Sequence, residues 1–195
     1  AFVDAGAQVI TTNSYAVVPF HIGEERFANR GAELIALSGQ LAQKVKESTS
    51  QNIKVAAGIP PVFGSYSPDD FVTADAVTML EVFKQHLLPF TDIVLAETQS
   101  SIDEVTTIQK VFADCGQPLW ISLTLEDETE SPDPRLRSGE LLSDALSAIN
   151  LDQVEAILFN CSQPEVMAAA VALSAECLPS NIGIGVYANG FRAIS

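Results

Sequence analysis

A cysteine at the end of an apolar run is the residue of this chain best placed to do chemistry. Val154-Glu-Ala-Ile-Leu-Phe-Asn160-Cys161-Ser162 closes a strand-like segment on an amide and a thiol. Pro164-Glu165 then opens a helix, Glu165 to Leu178, rich in Ala and Val. Cys161 therefore falls where a strand ends and a helix begins, the edge at which parallel α/β sheets bind their ligands. A thiol there is a nucleophile, a metal ligand or a bystander. Other polar residues fall at comparable places. Asn13 sits in Thr11-Thr12-Asn13-Ser14-Tyr15, where it caps a strand-end turn or meets a ligand. Glu97 follows Ile93-Val94-Leu95-Ala96 and is the carboxylate nearest a buried core. Asn189 precedes Gly190, as a turn residue or a ligand contact, and Ser122 lies within a strand, lining the inside of the sheet or packing in its core.

The elements that must position these residues alternate along the chain. The expected strands are Ala7 to Thr12, Ile53 to Ile59, Asp92 to Ala96, Leu119 to Leu125, Val154 to Phe159 and Ile182 to Val186. Between them the pattern predicts helices over Glu24 to Ser48, Thr73 to Leu88, Ser101 to Asp114, Gly139 to Ile149 and Glu165 to Leu178. Ala1 to Ala7 looks like the tail of a helix entered midway. The strands are continuous apolar runs, as expected when both faces of a parallel sheet are covered. Polar residues gather in the segments after the strands, including an acidic loop from Glu126 to Ser138, whereas the helix-to-strand connections are short. That asymmetry is the signature of a barrel active site. No glycine-rich phosphate turn follows any strand, which counts against an open dinucleotide-binding sheet. The expected fold is a (β/α)8 barrel, incomplete here, in one domain over residues 1–195.

Composition narrows the function further. Hydrophobic residues make up 47% and charged residues 18%, which is globular rather than disordered. A net charge of −15 disfavours nucleic acid and anionic membranes as partners. No apolar stretch approaches the roughly 20 residues that span a bilayer. Three cysteines without regular spacing argue for a reducing, cytoplasmic setting rather than a disulfide scaffold. Cys115 and Cys177 end helices and so belong to the opposite sheet edge; Glu165 to Cys177 spans about 18 Å, which rules out a zinc site made of all three. His21 and His86 fall on helices and make poor metal ligands.

Several segments together resemble the homocysteine S-methyltransferase family. They are Ala5-Gly-Ala-Gln-Val-Ile-Thr-Thr-Asn13-Ser-Tyr15, Gly64-Ser65-Tyr66, Leu95-Ala-Glu97-Thr98, Arg137-Ser-Gly-Glu140, Phe159-Asn160-Cys161-Ser162 and Ala188-Asn189-Gly190, in the family's order over nearly the whole chain. The resemblance implies a (β/α)8 barrel of which this chain spans strands two to seven. It implies a zinc ion held by three cysteine thiolates, of which Cys161 matches the first, with the other two expected beyond Ser195. It implies that Glu97 binds the ammonium group of homocysteine; Asn13, Asn189 and Ser122 are the further candidate substrate contacts by their positions, with the alternatives given above. The implied reaction moves a methyl group from a sulfonium or ammonium donor to the zinc-bound thiolate of homocysteine, giving methionine. Free thiols near pKa 8.5 are mostly protonated at neutral pH, and zinc removes that proton.

Two functional classes follow: a methyltransferase with this chain as its central part, or a non-catalytic partial barrel that keeps the fold without the zinc site. The methyl donor stays open among S-methylmethionine, S-adenosylmethionine and betaine, as does a thiol acceptor other than homocysteine. Strands two to seven alone would leave two sheet edges exposed, so self-association through them is expected.

Overall fold

The structure is a computed structural model, and it describes residues 1–127 and 133–190. Six strands alternate with helices: β1 (Val9–Thr11), α1 (Pro19–Ile22), α2 (Glu24–Glu47), β2 (Lys54–Ile59), α3 (Thr73–Leu87), β3 (Ile93–Gln99), α4 (Ile102–Phe112), β4 (Leu119–Leu123), α5 (Leu142–Ala148), β5 (Val154–Asn160), α6 (Pro164–Cys177) and β6 (Gly183–Tyr187). All neighbouring pairs are parallel, and the strand order follows the chain, β1 to β6. The sheet curls into an incomplete (β/α)8 barrel.

Alternation along the strands sorts the side chains onto two faces. Ala57, Ile59, Val94, Ala96, Ile121, Leu123, Ile157 and Phe159 join the main core with the helices, around Ile35, Leu80, Phe83 and Phe112. The other face carries a small cluster, Ala56, Ile93 and Leu95, with Val9, Trp120 and Leu158 against it. Continuing that face to the strand ends brings up Gly58, Glu97, Ser122, Asn160 and Tyr187. The concave face of the curled sheet is thus apolar at its floor and polar at its rim. At the opposite edge Asp92 ties three elements together: its carboxylate accepts from Lys46 Nζ at 2.6 and 2.7 Å and from Val55 N at 2.7 Å.

Local chemistry explains the boundaries. Ser101 caps α4 in a reciprocal box with Glu104. Gly116, at φ 72°, follows α4 and lets the chain turn back toward β4. One expected helix is shortened. Gly139 has φ 83°, and antiparallel bridges Leu125↔Leu136 and Arg135↔Leu141 fold this segment on itself, so α5 starts only at Leu142. The opening residues make single turns, with Ala5 N donating to Ala1 O at 3.0 Å, rather than a helix. Residues 128–132 of the acidic loop expected from Glu126 to Ser138 lie outside the described residues. No helix among the described residues is long and apolar enough to cross a membrane.

Candidate active site at the rim of the sheet

The strand ends bring Glu97, Ser122, Asn160 and Cys161 together. Asn160 is fully buried and is the hub. Its Oδ1 accepts from Ser122 Oγ at 2.8 Å, and its Nδ2 donates to Thr98 Oγ1 at 2.8 Å and to Cys161 Sγ at 3.3 Å. Thr98 Oγ1 also lies 3.8 Å from the sulfur. Tyr187, paired in register with Asn160, donates from its hydroxyl to Glu97 Oε1 at 3.4 Å. Ser122 meets the same phenol. Glu97, Tyr187, Ser122, Asn160 and Thr98 therefore form a polar ring across four strands.

Three tyrosines surround the thiol and the carboxylate. Burial pushes the Tyr187 hydroxyl pKa well up, and the Glu97 charge adds to it. Burial also raises Tyr66, followed by its hydrogen bond to Cys161 and the charge a thiolate there would carry. Tyr15 is raised by burial too, and its hydroxyl pairs with Ser65 Oγ at 2.6 Å. All three stay neutral hydroxyl donors at physiological pH. Glu97 is raised by burial, against the opposing hydrogen bond from Tyr187. A carboxylate so desolvated gains most from a cationic partner.

The backbone is strained at this rim. Tyr66 (φ 65°), Thr98 (φ 61°) and Cys161 (φ 51°) are the non-glycine residues with positive φ among those described, and all three belong to this cluster. Such conformations cost about 1–3 kcal/mol each and persist where surrounding contacts hold them. Those contacts are visible. Thr98 sits at a register shift between β3 and β4. Ser162 Oγ donates to Asn160 O at 3.0 Å and accepts from Leu125 N at 2.8 Å, while Asn189 N donates to Ser162 O at 2.9 Å. Arg137 stacks 5.0 Å from the centre of the Tyr66 ring, donates to Cys161 O at 3.3 Å and pairs with Asp127 at 2.7 Å. Asp127 in turn accepts from Gln163 N at 2.7 Å.

The remaining expected residues fall differently. Asn189 is half-buried, and its backbone N–H closes the turn after β5. Asn13 lies beyond the end of β1, exposed, and lines a separate groove of about 500 Å³ with Phe2, Val3, Leu41 and Val45. Periodicity gave no signal for Tyr15, Tyr66, Arg137 or Tyr187 as site residues. A polar or aromatic residue just past a strand end was the signal that could have found them.

Zinc fits this rim only in part. Cys161 offers a soft sulfur at the mouth of the sheet, and it is a free thiol. Cys115 follows α4 and Cys177 ends α6, both at the other edge. Among the described residues no three His, Cys, Asp or Glu side chains come together. They supply one thiolate, where a tetrahedral site needs more.

Comparison with known proteins agrees with the geometry. The family model described as homocysteine S-methyltransferase matches residues 1–194. Two solved structures of the homocysteine methyltransferase MmuM from Escherichia coli superpose with a TM-score of 0.80. The metallated form is 25% identical and is matched over 97% of this chain and 69% of its own. The oxidized form is 23% identical over 97% and 68%. No curated protein sequence matches.

Proposed function

The chain belongs to the homocysteine S-methyltransferase family, and from that premise we propose that its rim binds homocysteine for methylation to methionine. The acceptor's sulfur, having lost its proton, forms the new S–CH3 bond. The donor's C–S⁺ or C–N⁺ bond breaks, and its electron pair leaves with the neutral sulfide or amine, which needs no acid to depart. Glu97 pairs with the acceptor's ammonium group. Ser122 and Asn189 lie on the rim beside it, whereas Asn13 faces the separate groove beyond β1 and has no part in this reading. Cys161 would supply one thiolate to a zinc ion, which would hold the acceptor's sulfur as thiolate, with the other ligands drawn from outside the described residues.

The observation that carries this reading is the placement of Glu97 and Cys161 in one hydrogen-bonded ring within a family match over residues 1–194. The test is methionine formation from homocysteine with S-methylmethionine, S-adenosylmethionine or betaine, on the protein as its gene encodes it and with zinc supplied. Activity abolished by Glu97→Gln and by Cys161→Ser supports the reading. Full activity in both variants sinks it. The lone thiolate among the described residues favours a second reading, a non-catalytic partial barrel, and absence of turnover with every donor would support that one.

A further inference from the structure

We propose that Arg137 is a positioning residue that, together with Asp127, clasps the turn after β5 and fixes the direction of the Cys161 thiol. The use made of that thiol rests on the reading above. Arg137 reaches Cys161 by two routes. Its Nη2 donates to the Cys161 carbonyl at 3.3 Å. Its guanidinium also lies 5.0 Å from the centre of the Tyr66 ring, and the Tyr66 hydroxyl is hydrogen-bonded to the Cys161 thiol. One cation thus restrains the main chain directly and the sulfur through a phenol. Both residues it holds are left-handed, Tyr66 at φ 65° and Cys161 at φ 51°. Neither conformation persists without such contacts.

Asp127 makes the clasp two-sided. Its Oδ2 pairs with the same Nη2 at 2.7 Å, and its Oδ1 accepts from Gln163 N at 2.7 Å. The ion pair therefore grips the residue before Ser162 and the residue after it. About a quarter of each side chain is exposed, 23% and 26%, so solvent screens this pair less than one on the open surface. The base of the clasp is fixed as well. Arg137 N donates to Thr124 O at 3.2 Å, and Thr124 Oγ1 meets Ser162 Oγ at 3.2 Å. Arg137 acts through Cys161, by its carbonyl and its sulfur's partner.

Arg137→Lys tests this with the charge kept, on the protein as its gene encodes it and with metal removed by chelation. Lysine has no flat face for Tyr66 and no rigid fork to reach Asp127 and the carbonyl together. The rate of alkylation by iodoacetamide is read at each cysteine by peptide mass mapping. Cys161 should react about tenfold faster than in wild type, because its turn relaxes and the half-buried sulfur swings outward. Cys115 and Cys177, at the other sheet edge, should react as before. An unchanged rate at Cys161, or an equal rise at Cys115, overturns the proposal. Asp127→Asn loosens the clasp from its other side and should raise the Cys161 rate in the same direction. It decides the matter where Arg137→Lys does not fold, and an unchanged Cys161 rate there overturns the proposal. Alkylation needs no substrate, so absence of turnover with every methyl donor would end the acceptor reading while these rates still decide the role of Arg137.

Discussion

The side-chain amide of Asn160 donates to the sulfur of the residue that follows it, Cys161, at 3.3 Å, and to Thr98 on the neighbouring part of the rim at 2.8 Å. One buried amide thus orients a thiol and ties two left-handed residues to each other. Both of its polar atoms are satisfied, which is what makes its burial affordable.

Asn160→Ala should cost about 2–4 kcal/mol, because it removes a buried hydrogen-bond partner from Ser122 Oγ and from Thr98 Oγ1 and opens a cavity. Urea unfolding monitored by Trp120 fluorescence measures it. A loss below about 0.5 kcal/mol would mean that water replaces the amide.

Glu104 is buried at the N-terminus of α4, where it accepts from the N–H groups of Ser100 and Ser101. Burial is the larger effect and pushes its pKa from 4.5 to about 7, with the Glu140 charge adding to it. A raised carboxyl pKa means that the folded state binds the proton more tightly. Its contribution is full below pH 4.5 and is lost as pH rises through about 7. The swing is on the order of 3 kcal/mol. Glu104→Gln keeps the capping box and removes the titration. Its stability relative to wild type should therefore rise between pH 5 and pH 8 in thermal melts. A constant difference would show that Glu104 is charged throughout.

A single thiolate does not hold zinc tightly. The 195-residue polypeptide, dialysed at neutral pH, should retain far less than one zinc per chain, and Cys161→Ser should change that little. Metal analysis finding about one tightly held ion, lost in Cys161→Ser, would reveal ligands beyond those described.

The outer strands β1 and β6 each have one strand neighbour among the described residues, and neither carries Lys or Pro to discourage pairing. Beside β1, Leu37, Leu41 and Val45 stand exposed along α2, with Phe2 nearby. The 195-residue polypeptide should self-associate, with a mass by light scattering that rises with concentration. A monomer at every concentration would mean that these surfaces are covered.

The fold was legible because parallel strands buried on both faces leave apolar runs, and Val154 to Phe159 or Ile93 to Ala96 read as strands from residue types alone. Glu97 and Cys161 were legible because they end those runs. What the chain does not display is which strand-end residues meet. Asn160 looked like a flank of Cys161, yet it bridges to Ser122, 38 residues away. Tyr187 and Glu97 are 90 residues apart and touch only because the sheet curls. Asn13 shares their edge but faces another groove, since β1 ends at Thr11 and the chain turns beyond it. Gly139 lies in a helical pattern, and its left-handed backbone there comes from bridges that periodicity does not encode.

The strands lie side by side in the order in which they are synthesised. Each new strand finds its partner already made, and no strand has to be inserted between two that have paired. The emerging chain can therefore grow its sheet at one advancing edge, one strand and helix at a time, while the ribosome is still adding residues. The rim is then completed last. Glu97 and Ser122 emerge early, Asn160 and Cys161 later, and the Glu97 carboxylate gains its phenol partner only when the sixth strand arrives.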